Sequence, residues 1–208
     1  FFGVTAGAMD SMVNHYTPRK RLRSDDAYTP GGRHGQRPDM PSVIYTRILK
    51  ELYPETPVIL GGVEASMRRF THYDYWQDEV RPSILAESGA DMLIYGMGEH
   101  AFMAIVRLLQ KGVPFSSLHN ILQTAYMTAA DNKLPPLKSY NERTLPSHRE
   151  CDTDKRAYAR AFRIAEEESN SLMPARLIQY NGNEKLVVNP PFPPADSDAI
   201  DLYYDLPY

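Results

Sequence analysis

Pro57-Val-Ile-Leu-Gly-Gly-Val-Glu-Ala-Ser66 is a short apolar run that stops on two glycines. Bounded by Pro57 and Gly61, it is too short for a stable helix and suits a strand buried on both faces. Without a Cβ, Gly61 and Gly62 accept positive φ and let a bulky group approach the main chain. In an open parallel sheet, ligands sit beyond the carboxyl ends of the strands, so these glycines mark the expected binding edge.

The same pattern recurs on either side. Phe1 to Thr5 reads as a strand followed by the small residues Ala6-Gly7-Ala8. Between Pro41 and Tyr53, Val43, Ile44, Ile48, Leu49 and Leu52 recur at helical spacing, with Arg47, Lys50 and Glu51 on the other side. Pro54 ends that helix, and strand, helix and strand in succession imply a parallel pair. Asp91-Met-Leu-Ile-Tyr95 is the next strand, and it stops on Gly96-Met97-Gly98-Glu99. The helix after it carries Ala101, Phe102, Ile105, Val106 and Leu109 on one stripe and closes at Gly112. Strands and helices that alternate in this way predict an α/β fold with a doubly wound, mostly parallel, Rossmann-like sheet. Gly7, Gly61, Gly62, Gly96 and Gly98 would lie along its ligand edge. Glu64 and Glu99 fall just past two of the strands; their carboxylates either meet a ligand, as hydrogen-bond or acid–base groups, or structure the loops.

Elsewhere the pattern is looser. Thr17 to Gln36 is an irregular loop holding the basic run Arg19-Lys-Arg-Leu-Arg23, which Ser24-Asp-Asp26 offsets. Arg68 to Trp76 is unusually aromatic, and its rings suit either a ligand or domain rim or a cap on the core. Pro82 to Glu87 predicts a short helix ended by Gly89. We divide the chain into 1–113, part of an α/β domain, and 114–208, an irregular connector. The connector is expected to hold a strand pair over Leu118–Met127, one helix between Ser147 and Asn170, and a β-hairpin turning at Asn181-Gly-Asn183. Asp196 and Ser197 cap a last short helix.

The 208 residues are 42% hydrophobic and 24% charged, as in ordinary globular chains. A net charge of -3 gives no case for nucleic acid or an anionic membrane. No apolar run nears the ~18 residues of a membrane span and no signal peptide is visible, which predicts a cytoplasmic protein. Cys151 stands alone, excluding an internal disulfide and a self-contained cysteine metal cluster. The histidines lack metal-ligand spacing. No GxGxxG, P-loop or nucleophile paired with a base is present. The chain opens on what reads as a core strand, which predicts a fragment.

Three longer strings carry a resemblance: Phe1-Phe-Gly-Val-Thr-Ala-Gly-Ala-Met-Asp-Ser-Met12, Arg21-Leu-Arg-Ser-Asp-Asp-Ala-Tyr-Thr-Pro30, and Glu64-Ala-Ser-Met-Arg-Arg69 with His72-Tyr-Asp-Tyr-Trp76. Together they resemble the N-terminal, cobalamin-binding-like domain of the YgiQ-type radical SAM proteins. Asn189-Pro-Pro and Leu206-Pro-Tyr208 do so more weakly. The resemblance implies an accessory domain that is not itself catalytic. Its partner would be a downstream radical SAM barrel, whose CxxxCxxC loop binds a 4Fe–4S cluster and S-adenosylmethionine beyond Tyr208. It also implies a match of Thr5 and Gly61-Gly62 to the strand-end positions that take the nucleotide tail of cobalamin. The alternative is a stand-alone, non-catalytic α/β module that binds a small ligand or a partner.

Overall fold

The computed structural model describes residues 1–205 and 207. Leu206 and Tyr208, part of the weaker resemblance, lie outside the described residues. The chain runs through β1 (Phe2–Thr5), α1 (Ser11–His15), α2 (Pro41–Leu52), β2 (Val58–Gly61) and α3 (Gly62–Met67). It continues with β3 (His72–Asp74), β4 (Glu79–Arg81), α4 (Ile84–Ser88), β5 (Met92–Ile94) and α5 (Glu99–Gln110). The last part holds β6 (Thr124–Ala129), β7 (Glu142–Leu145), α6 (His148–Thr153), α7 (Lys155–Ser169), β8 (Arg176–Asn181), β9 (Glu184–Val188) and α8 (Ser197–Tyr204).

Seven strands form one sheet in the order β1-β2-β5-β6-β9-β8-β7, while β3 and β4 make a separate hairpin. β1, β2 and β5 are parallel, with Val4 opposite Leu60 and Leu60 opposite Leu93. Their side chains alternate between two cores, as the strand period requires. Val4, Val58, Leu60 and Leu93 pack with Val43 of α2 and with Ile84 and Leu85 of α4. Ile59, Met92 and Ile94 pack on the other face with Ala101 and Ile105 of α5. Helices therefore cover both faces, giving the Rossmann-like α/β architecture expected from the sequence.

The helix ends follow local chemistry. Ser83 caps α4 by accepting from the Leu85 amide at 3.3 Å, and Gly89 closes it at φ 74°. Ser147 and Glu150 form a reciprocal capping box at the start of α6. Asp154 then accepts from the Arg156 amide at 2.8 Å and opens α7, so Ser147 to Asn170 is two helices instead of one.

The segment from 114 onward shares the sheet. β6 pairs antiparallel with β5, and β9 and β8 follow through the predicted hairpin, whose Gly182 has φ 60°. Leu118–Met127 supplies a turn and one strand, not a pair. Arg176 fastens this part from within: it is 0% exposed and donates to Asn189 and Asn120 side chains, the Pro135 carbonyl and Glu142. Burial of a guanidinium is tolerated because each nitrogen has an acceptor.

Candidate functional site

Above the carboxyl ends of β1, β2 and β5 lies a pocket of about 520 Å³. Thr5, Gly61, Gly62, Gly96, Gly98 and Glu99 all line it, together with apolar side chains such as Ile59, Ile94 and Phe102. Strand alternation explains part of the set: Gly3, Thr5, Ile59 and Gly61 share one sheet face, the face on which Ile59 packs with α5. Phe1 and Phe102 meet edge to face, with centroids 6.0 Å apart, and both stay exposed.

The glycines there have different reasons to be glycine. Gly62 has φ 84°, and a Cβ on it would lie 2.4 Å from Thr5 Oγ1 and 3.3 Å from the Gly7 carbonyl. A Cβ on Gly98 would meet Ile94 Cγ2 at 2.7 Å. Gly61 is extended at φ -150°, and its added Cβ would come no nearer than 4.0 Å to any neighbour, the Ile94 carbonyl. The Gly96 turn is held from two sides. Its amide donates to Ser66 Oγ at 3.1 Å, and Gln123 Nε2 donates to the Tyr95 carbonyl at 2.8 Å.

Gly7 and Glu64 stand apart from this pocket. Gly7 has φ 101° and faces the Tyr28 ring, which would lie 2.8 Å from an added Cβ; its amide donates to Thr5 Oγ1 at 3.2 Å. Glu64 is 0% exposed and points beneath the sheet edge, accepting from the Ser11 amide at 3.1 Å and the Ser42 amide at 3.2 Å. It joins the first turns of α1 and α2, which is the loop-structuring alternative of its two sequence readings.

The long loop is organised around a carboxylate that the sequence left in a charge run. Asp26, 1% exposed, accepts from Asn14 Nδ2 at 2.7 Å, the Tyr28 amide at 2.9 Å and Arg37 Nε at 3.0 Å. Burial alone would raise its pKa, but the Arg37, Tyr28 and Asn14 donors outweigh that and hold it down to about 2. Nothing local singles out Asp26 from Asp25; the partner Arg37 lies outside the run.

The aromatic stretch divides residue by residue. Phe70 and Trp76 pack on the core, and Trp76 lies 5.3 Å from Tyr16, centroid to centroid. Tyr73 and Tyr75 remain exposed. Arg68 pairs with Asp10, the N-cap of α1. His72 is largely buried, with Nδ1 3.1 Å from the Phe70 carbonyl and Nε2 without a partner among the described residues. Burial pushes its pKa down to about 4, and Arg68 and Arg81 add to that against the pull of the Phe70 carbonyl and Asp74. His72 is therefore neutral in the fold and takes up a proton more readily once unfolded. Its contribution is whole above the unfolded value of ~6.5 and is lost as pH falls toward 4, by up to about 3 kcal/mol. In urea unfolding at pH 7 and pH 4.5, His72→Gln should lose less stability on acidification than the wild type. Equal losses would remove His72 from the acid response.

Cys151 is buried, and burial, with Glu150 adding, pushes its thiol up to about 11. Among the described residues no three His, Cys, Asp or Glu side chains converge as metal ligands. A 4Fe–4S cluster needs several thiolates, so the residues of this segment do not fit one. For the tail of cobalamin the fit is partial: Gly61 leaves room, while the Thr5 hydroxyl is engaged with the Gly7 amide. Among the described residues no helix is long and apolar enough to cross a membrane.

Residues 1–208 match the family model described as Radical SAM N-terminal. The UPF0313 protein of Porphyromonas gingivalis is 55% identical over 208 residues, which are all of this chain and 32% of that protein. The UPF0313 protein of Bacteroides thetaiotaomicron is 49% identical over 219 residues, all of this chain and 35% of that protein. That of Geobacter sulfurreducens is 45% identical over 208 residues, again all of this chain and 34% of that protein. No solved structure matches. The chain spans about a third of the length of the curated relatives it matches, and it belongs to the radical SAM N-terminal family.

Proposed function

We propose that this chain is the accessory N-terminal domain of a cytoplasmic radical SAM enzyme, with the 4Fe–4S cluster and S-adenosylmethionine held by a barrel beyond Tyr208. Residues 114–208 are then the connector toward that barrel, although their strands join the sheet. The carrying observation is a radical SAM family match along a whole chain that contains one cysteine, and that one buried. The test is reconstitution of the full-length protein with iron and sulfide. A 4Fe–4S chromophore that survives Cys151→Ser and disappears when a CxxxCxxC beyond Tyr208 is replaced supports the proposal. Absence of such a motif downstream, or loss of the cluster in Cys151→Ser, overturns it.

The strand-end pocket is assigned to chain outside this segment. β1 is the outermost strand, its outer edge meets no other strand among the described residues, and exposed Phe1 and Phe102 flank the open face. Open edges and apolar faces are ordinarily covered. Gly61→Val places two methyl groups in the pocket without backbone strain. In the full-length protein it should lower stability by about 1–3 kcal/mol through overpacking, and the wild type should leave the cobalamin spectrum unchanged. A saturable spectral change on cobalamin titration, abolished by Gly61→Val, would instead give the pocket to the cofactor.

A further inference from the structure

Arg69 differs from every other arginine of the chain that is not exposed. Arg37, Arg68, Arg81, Arg143 and Arg176 each meet a carboxylate: Asp26, Asp10, Glu87, Glu168 and Glu142 in turn. Arg69 has no carboxylate within 4.0 Å among the described residues. Its Nη1 donates to the Ser66 carbonyl at 2.6 Å, Nη2 donates to Ser169 Oγ at 3.4 Å, and Nε is buried with no acceptor among the described residues. The guanidinium lies 4.9 Å from the Tyr95 ring centroid and 5.0 Å from that of Phe70. Cation–π contact offsets part of the lost hydration, but it supplies no acceptor for Nε–H or Nη2–H.

The guanidinium lines a second pocket, of about 280 Å³, beside the strand-end pocket and sharing Gly96 with it. Tyr95, Pro190 and Pro191 form an apolar wall. Glu168 also lines it, yet both oxygens are committed, one to Arg143 at 2.6 Å and the other to the Ala175 amide at 2.6 Å. The Tyr95 hydroxyl is likewise spent, donating to the Asn189 carbonyl at 2.6 Å. Burial lowers the basicity of Arg69, and the exposed Glu166 only partly opposes this. Among the described residues, the unmet demand in the pocket is thus a cation whose Nε–H has no acceptor and whose Nη2 keeps one N–H beyond its 3.4 Å bond to Ser169 Oγ.

From this we infer that the Arg69 pocket binds the carboxylate or phosphate group of a small soluble molecule. Two parallel N–H donors match two oxygens of such a group, which is the geometry in which arginine outperforms lysine. A slight turn of the guanidinium presents that pair to the pocket. The rest of the molecule lies on the Tyr95 and proline wall. The cavity, of about 280 Å³, is of the size that takes a small molecule or its anionic end.

Thermal unfolding of the full-length protein in inorganic phosphate or acetate, against chloride at equal ionic strength, tests this directly. The wild type should gain thermal stability saturably with either anion, as ligand linkage requires. Arg69→Met keeps the apolar stem and removes the unpaired charge. It should start about 3 °C above the wild type in chloride and give no saturable gain. Arg69→Lys should respond with an affinity about tenfold weaker. An equal gain in Arg69→Met and wild type makes the effect non-specific and overturns the inference. So does an unresponsive wild type combined with a destabilised Arg69→Met, which assigns the partner of Arg69 to a carboxylate of the remaining protein.

Discussion

Gly62→Val is expected to destabilise the domain by about 2–4 kcal/mol. Two causes add. At φ 84° a β-branched residue is strained, and its Cβ would lie 2.4 Å from Thr5 Oγ1 and 3.3 Å from the Gly7 carbonyl. The hydroxyl cannot simply rotate away without giving up the Gly7 amide, 3.2 Å from it. Because the Cβ itself makes the clash, Gly62→Ala should cost nearly as much as Gly62→Val. Gly61→Ala, on an extended residue with room around it, should cost little. Denaturant unfolding of these three variants checks the ordering. A mild Gly62→Ala would mean that the β1 turn yields, and that the pair of glycines is there for a ligand alone.

Glu64→Ala should cost about 3–5 kcal/mol. The buried carboxylate satisfies two backbone amides, those of Ser11 and Ser42, that have no other acceptor among the described residues. It also faces the charge of Arg68, whose own pKa is raised by Asp10 and, more weakly, by Glu64, against the effect of burial. Removal orphans both amides and leaves the first turns of α1 and α2 without their shared acceptor. Glu64→Gln keeps one oxygen and the shape, and should lose about half as much. The readout that separates structure from binding is ligand affinity in Glu64→Gln near neutral pH. Unchanged stability with weakened ligand binding would return Glu64 to the pocket.

Much of the architecture was legible because it is local. The run Val58-Ile-Leu before two glycines, the helical spacing of Val43 through Leu52, and Pro82 with Gly89 around a short helix each fix an element through nearby residues. The hairpin at Gly182 is of the same kind. Those signals carry the α/β class, and Thr5, Gly61, Gly62, Gly96, Gly98 and Glu99 line one pocket because each ends or follows a parallel strand.

Everything that depends on a distant partner had to wait for the fold. Residues 114–208 read as a connector because they are too poor in apolar residues for a core of their own; the β8–β9 hairpin was legible from its turn, but that it joins the main sheet depends on β6, which pairs with β5 on one side and β9 on the other. Glu64 and Glu99 both fall in the first turn of the helix that follows a glycine-ended strand. One turns inward to two amides and the other lines the pocket, a distinction set by the position of α1 and α2. Asp26 and Asp25 are neighbours of identical type, and only the approach of Arg37 and Asn14 makes one the buried hub. Arg68 and Arg69 are the sharpest case: side chains one residue apart on a bend point to different surroundings, so Asp10 neutralises the first and nothing among the described residues neutralises the second. Sequence spacing determines which backbone segments become strands and helices. Charge pairing is decided across the fold, because the carboxylate that meets each guanidinium comes from whichever element the packing brings beside it.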